Sequence, residues 1–194
     1  METLKQIDRL TDFVAKRPAP GDIDILDWEA AFHKKIKELR QSCLELELLP
    51  DDISGLPSRT SGEKIIEDVE STRKRVGTTR AYSVIFIDID GLKATNDLQG
   101  HATGDFLIAT MGRAIINSIR PMDFAFRYGG DEFVIILDSL HPGSALQSTV
   151  ERVKSRAPKA SYGTAIVQDD ETLPEAIARA DSKMYVEKRQ KNGM

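Results

Sequence analysis

Two clusters of acids stand where a strand-like run ends or begins. Asp88-Ile89-Asp90 closes the run Tyr82-Ser83-Val84-Ile85-Phe86-Ile87, and Asp131-Glu132 follows the pair Gly129-Gly130. A carboxylate at the end of a strand buried on both faces loses hydration, which is unfavourable unless positive charge lies beside it. If the two runs are neighbouring strands, Asp88 and Asp131 converge. Two carboxylates, a carbonyl and waters make the partial hard-oxygen shell that Mg²⁺ prefers when phosphate oxygens supply the remainder. The plainer alternative is that each acid only caps a turn. Two such clusters at paired strand ends favour the metal reading.

The stretch after the first cluster, Gly91-Leu92-Lys93-Ala94-Thr95-Asn96-Asp97, adds features suited to an anion. Gly91 permits close backbone approach, so that amide N–H groups can face a phosphate. Lys93 supplies a point charge. Neither a Gly-x4-Gly-Lys-Ser/Thr loop nor a Gly-x-Gly-x-x-Gly turn occurs, so the P-loop and dinucleotide-fold routes to nucleotide binding are unsupported. Asp105, in Gly104-Asp105, is either a first-turn acid favoured by the helix macrodipole or an acceptor for two N–H groups of a guanine edge.

These groups need elements to position them. Apolar spacing and turn residues predict a helix over 62–76, a buried strand over 82–89 and a helix over 102–119 stopped by Pro121. Short strands follow over 124–127 and 132–137, joined by a Gly-Gly hairpin whose tight turn favours positive φ. A helix over 144–156, a strand over 160–167 and a helix over 173–188 complete the order α-β-α-β-β-α-β-α. The expected fold class is an α/β (α+β) sandwich, a central mixed sheet covered by helices. Before it, Ile25, Phe32, Ile36, Leu39, Cys43 and Leu46 alternate at three- and four-residue spacing, with Glu29 the one polar seam position. That segment is either an amphipathic helix packed on its own domain or a dimer stalk.

Composition narrows the function further. With 194 residues, 40% hydrophobic and 30% charged, the chain suits one ordinary domain plus an appendage. No apolar run approaches the roughly 20 residues of a bilayer-spanning helix, and METLKQIDRLTDF lacks the apolar core of a secretory signal. A single cysteine and three histidines disfavour disulfides and zinc sites. A pI near 5.5 argues against charge-driven nucleic-acid binding. The expectation is a cytoplasmic protein with a small substrate, no nucleic-acid partner and no membrane association.

The string Arg127-Tyr128-Gly129-Gly130-Asp131-Glu132-Phe133 resembles the signature of the GGDEF diguanylate cyclases. The pattern Asp88-x-Asp90-x-x-Lys93-x-x-Asn96-Asp97-x-x-Gly100-His101-x-x-Gly104-Asp105 is similar to the family's second block, in register. Asp52-Ile53-Ser54-Gly55-Leu56-Pro57-Ser58-Arg59 resembles its opening motif. Ser161-Tyr162-Gly163, Ala180-Asp181, Tyr185 and Lys188 resemble its closing blocks. The likeness divides the chain into a helical segment at 1–49, a possible dimerisation stalk, and a GGDEF domain at 50–191.

The resemblance implies a polymerase-palm-like fold that condenses two GTP into cyclic di-GMP with release of two pyrophosphates. It assigns Asp88, the Ile89 carbonyl and Asp131 to a Mg²⁺ (or Mn²⁺) ion, Asp131 also as proton acceptor, and Glu132 as a second-metal ligand or a group orienting the turn. The N–H groups of Gly91, Leu92 and Lys93 would cradle phosphate, with the Lys93 ammonium stabilising triphosphate charge. Asn96, Asp105 and the intervening His101 would read guanine and ribose. Arg120-Pro121-Met122-Asp123 matches an Arg-x-x-Asp site for inhibition by the product, against the alternative of a helix-end arginine with a surface aspartate. Because each domain binds one GTP, the family's catalysis implies a homodimer. Two departures stand out. The chain reads Lys191-Asn192-Gly193 where the family carries an arginine that helps hold phosphates, leaving Lys188, Arg189 or Lys191 as substitutes. Lys183 and Glu187 replace small residues of the last helix and are expected on its solvated face. A non-catalytic receptor for cyclic di-GMP or GTP, and a cyclase with altered base choice, are the rival readings.

Overall fold

The structure, a computed structural model, describes residues 50–76, 81–139, 142–191 and 193. The heptad pattern over 25–46 lies outside the described residues. The elements below all belong to one unit of the chain, Pro50–Met194.

Strands β1 (Ala81–Ile89), β2 (Phe124–Arg127), β3 (Glu132–Ser139) and β4 (Ala160–Ile166) form a four-stranded sheet in the order β2-β3-β1-β4. Every ladder is antiparallel. β1 and β2 run one way and β3 and β4 the other, and no pair of strands among the described residues is parallel. Each helical crossover returns the chain parallel to the strand it left but one place removed, and the other crossover's strand fills the gap, as in split β-α-β folds. Helices α1 (Arg59–Val76), α2 (Leu92–Gln99), α3 (His101–Ile116), α4 (Pro142–Lys154) and α5 (Leu173–Lys191) flank the sheet. None is long and apolar enough to cross a membrane, among the described residues.

β1 is central, which explains its nearly unbroken apolar sequence: both faces are covered. Ile85, Ile87 and Ile89 join Phe133, Ile135 and Leu137 of β3 against Ile108, Met111 and Ile115 of α3 and Val150 and Val153 of α4. The alternate residues Val84, Phe86, Val134, Ile136 and Phe126 are buried on the opposite face, toward α1 and α5. Full burial of each such side chain contributes about 2 kcal/mol. Together they outweigh the desolvation of the one carboxylate, Asp88, that the same strand carries at 6% exposure. At Gly163 of β4 the sheet meets helix backbone, because a Cβ there would fall against the Ala180 carbonyl oxygen and Met184 nitrogen of α5.

β4 is an edge strand, and its outward polar groups need partners. Every fourth residue of α5 supplies one. Arg179 donates to the Ile166 carbonyl at 2.7 Å, Lys183 to that of Thr164 at 2.9 Å, and Lys191 to that of Ala160 at 2.7 Å. The Tyr162 N–H donates to Glu187 at 3.1 Å. Four residues of helix rise about 6 Å, close to the roughly 6.7 Å spanned by two residues of strand, so the two elements stay in step. Lys183 is exposed as expected and Glu187 is half-buried, and both also bond the strand. They close an exposed sheet edge, a role visible only once that edge is known.

Candidate active site

β1 ends on Asp88-Ile89, and register sets what lies beside them. Asp88 pairs with Glu132 on one side and Ser161 on the other, while the Ile89 N–H donates to the Asp131 carbonyl at 3.0 Å. The two acid clusters thus meet across adjacent strands. Burial raises the Asp88 carboxyl above its ordinary pKa, helped by the charges of Asp131 and Asp90 and opposed by Lys188. Glu132 is raised by burial and by Asp131, Asp88 and Asp181. Lys188 of α5 places its ammonium 2.5 Å from Asp88. Burial works against that charge, but the contact with Asp88 and the fields of Asp131 and Asp90 hold its pKa above the usual lysine value.

The Gly-Gly hairpin forms, by a different physical route from the expected one. Neither Gly129 nor Gly130 has positive φ. The loop is longer than a two-residue turn, and it closes through Tyr128 and Gly129 N–H groups donating to the Glu132 carbonyl at 2.8 and 3.2 Å. Gly129 is small for packing: a Cβ there would fall against Glu132 Oε2. Arg127 fastens the turn, its Nε and Nη2 reaching the carbonyls of Gly129 and Gly130 and its Nη1 the carboxylate of Asp51.

Beyond Asp90 the chain forms α2, a helix absent from the elements expected from periodicity. Its only signals are Gly91 and Gly100 at its two ends, both with positive φ. Among the described residues no side chain caps the N-terminus, so the first-turn amides, including those of Leu92 and Lys93, are available to an anion. Lys93 is exposed on that turn. Asn96 lies against α3, its buried Oδ1 without a hydrogen-bond partner among the described residues and directly over Gly104, where a Cβ would strike it. His101 and Asp105 are exposed on the first turns of α3. Asn96 on α2 thus meets the start of α3 at Gly104, on the same first turns that carry His101 and Asp105.

Arg120 and Asp123 lie in the turn after α3, which ends at Ile116 rather than at the expected Ile119. Asp123 is buried at 3% exposure and accepts the Arg120 N–H at 2.7 Å and the Asp138 N–H at 3.2 Å. It is not the surface aspartate of the plainer sequence reading. The Arg120 side chain is exposed.

Among the described residues, no three acidic, histidine or cysteine side chains are grouped to hold a cation by themselves. The chemistry of the donors still suits a hard divalent ion shared with a phosphate ligand. Asp88 and Asp131 repel one another, and a cation between them relieves that repulsion. Sequence reasoning attached no role to the contacts of Asp51, Arg127, Asp90, Glu187 and Lys191, whose significance is tertiary.

A family model described as "Diguanylate cyclase, GGDEF domain" matches residues 49–194. The diguanylate cyclase DosC of Escherichia coli is 31% identical over 168 residues, covering 79% of this chain, and the probable diguanylate cyclase DgcJ of the same organism is 36% identical over 154 residues, covering 75%. The chain spans 36% and 30% of the lengths of those two relatives. Among solved structures, the GGDEF domain of DgcB from Caulobacter crescentus in complex with c-di-GMP is similar at a TM-score of 0.65 and 25% identity, covering 74% of this chain and 91% of that one.

Proposed function

The chain belongs to the diguanylate cyclase GGDEF-domain family, and from that premise we propose that it condenses two GTP into cyclic di-GMP, releasing two pyrophosphates. The observation that carries this reading is the meeting of Asp88 with the Asp131-Glu132 pair at the ends of adjacent strands, with the Lys188 ammonium against Asp88. Each condensation joins a ribose 3′-oxygen to an α-phosphorus and breaks that phosphorus's bond to pyrophosphate. Asp131 takes the hydroxyl proton, and Glu132 orients the turn that presents it. The amides of Gly91, Leu92 and Lys93, with the ammonium groups of Lys93 and Lys188, hold the triphosphate and the departing pyrophosphate. When bound by Asp88, the Ile89 carbonyl and Asp131, Mg²⁺ or Mn²⁺ would supply Lewis-acid polarisation of phosphoryl oxygen.

Asn96, His101 and Asp105 select the base. Asp105 facing guanine N1–H and N2–H₂ would be left unpaired with adenine, which disfavours ATP. Residues 50–191 act as the catalytic domain, and two copies face one another so that each 3′-oxygen meets the other's α-phosphorus. Residues 1–49 serve as the stalk that pairs them. DgcB, the similar domain, is described with c-di-GMP. Here Arg120 receives that product, its guanidinium suited to guanine O6/N7 or phosphate, on a turn that Asp123 holds.

The test is incubation of the purified full chain with GTP, ATP and Mg²⁺, and identification of products by mass spectrometry. Cyclic di-GMP formed from GTP alone is the expected outcome. Tight binding of cyclic di-GMP with no product formed would replace the cyclase reading with a receptor.

A further inference from the structure

Resting on the cyclase reading, we infer that Lys191, seconded by Glu187, is a positioning residue for the triphosphate-binding turn at Asp90-Gly91-Leu92-Lys93. The last turns of α5 grip both residues that flank Ile89. Lys188 holds Asp88, and Lys191 lies 3.6 Å from Asp90 Oδ2. The other Asp90 oxygen accepts the Ser161 hydroxyl at 2.7 Å, and the Asp90 N–H donates to the Lys159 carbonyl at 3.0 Å. Lys191 is itself fixed: it donates to the Ala160 carbonyl at 2.7 Å and the Ser161 hydroxyl at 3.4 Å, and pairs with Glu187 at 2.8 Å. The second Glu187 oxygen takes the Tyr162 N–H.

Asp90 is therefore held by β4 and α5, and the turn pivots immediately after it, at Gly91 with φ 73°. A ring of contacts running Glu187–Lys191–Ser161–Asp90 sets the direction in which the first amides of α2 point. With its ammonium committed to these acceptors, Lys191 acts through Asp90. Lys188 is left as the α5 lysine on the acid pair. This separates two of the three residues that the sequence offers as substitutes for the missing arginine.

Triphosphate contacts made by such a turn are shared by the ground and transition states, so loosening it raises KM and leaves kcat nearly alone. The experiment compares the wild-type full chain with Lys191→Met, Lys191→Arg and Lys183→Met, reading hydrogen exchange of the Asp90 amide, the affinity for a fluorescent GTP analogue, and KM and kcat for GTP. For Lys191→Met we expect exchange of the Asp90 amide, which is bonded to the Lys159 carbonyl, to quicken about tenfold and KM to rise about fivefold with kcat within about twofold. Exchange within the β1 core, at 84–87, should stay as slow as in the wild type. Lys191→Arg should restore both values. Lys183→Met, which removes an equivalent edge contact farther along β4, should leave both unchanged. Unchanged exchange at the Asp90 amide or unchanged nucleotide affinity in Lys191→Met overturns the inference, as does an equal effect from Lys183→Met. A wild-type chain that makes no cyclic di-GMP defeats the cyclase reading instead, and the inference is then decided by exchange and analogue binding alone.

Discussion

Arg127 and Asp51, 76 residues apart, are joined by Nη1 at 2.9 Å from Oδ1 and 2.8 Å from Oδ2, while the rest of the same guanidinium holds the carbonyls of Gly129 and Gly130. One side chain thus ties the chain leading into α1 to the turn that carries Asp131. Replacing Asp51 with Ala leaves a partly buried arginine short of its partner. We expect a loss of about 2 kcal/mol in chemical denaturation and a fall of about tenfold in turnover, since small misplacements of a reacting group are costly. Undiminished turnover would show that the turn is held without this pair.

Protonation separates the site from the rest of the molecule. Asp88 and Glu132 are raised by burial first and by neighbouring acids second. For a group with a raised folded pKa, the stabilising contribution is fully present below the unfolded value and lost as pH rises through the folded value. Asp51 is opposite in sign: burial raises its pKa, but Ser54 and Arg127 more than offset it, so its contribution is present above the unfolded value and fades as pH falls through the folded one. Without divalent cations, the melting temperature should therefore decline as pH climbs from the ordinary carboxylate range through the raised values of Asp88 and Glu132. Millimolar Mg²⁺ or Mn²⁺ should restore it, more at about pH 7.5 than at about pH 5. Asp131→Asn should raise the cation-free melting temperature near neutrality and abolish turnover. A cation effect independent of pH would count against Asp88 and Asp131 as its ligands.

Two glycines test different levels of structure. Gly163→Ala sets a methyl against the Ala180 carbonyl and Met184 nitrogen, where helix backbone must shift. A loss of about 3 kcal/mol in stability is expected. Gly104→Ala meets only the end of the Asn96 side chain. The carboxamide can swing aside, so stability should change little while KM for GTP rises. Thermal melts and steady-state kinetics on both variants distinguish the two effects.

The Arg120 turn divides similarly. Arg120→Ala should relieve inhibition by added cyclic di-GMP and leave the melting temperature close to that of the parent. Asp123→Ala removes an acceptor of two N–H groups from a buried position, with an expected cost of about 2 kcal/mol. An unaltered inhibition curve for Arg120→Ala would dismiss the site.

Deleting residues 1–48 should lower turnover strongly at dilute enzyme while leaving GTP affinity nearly unchanged, because a stalk raises the effective concentration of the second copy. Equal specific activities of the truncated and full chains at nanomolar concentration would rule the stalk out.

Local chemistry in the sequence determined much about this protein. The apolar run ending at Asp88 required a central strand, and the block spacings around Gly129-Gly130 and Asp88-x-Asp90 marked the family and its acids. Helix α2 was legible only through its two flanking glycines, since an eight-residue helix leaves too short a periodic pattern to identify. Tertiary structure alone decided the strand order that sets Asp88 beside Glu132, the use of Asp123 inside a turn, and the role of α5. Lys183 and Glu187 read as ordinary solvated charges, and Lys191 as a substitute phosphate holder, because a helix sequence carries no record of which strand edge lies alongside it. Their meaning depends on unpaired carbonyl and N–H groups of β4, and those exist as partners only after the sheet has formed.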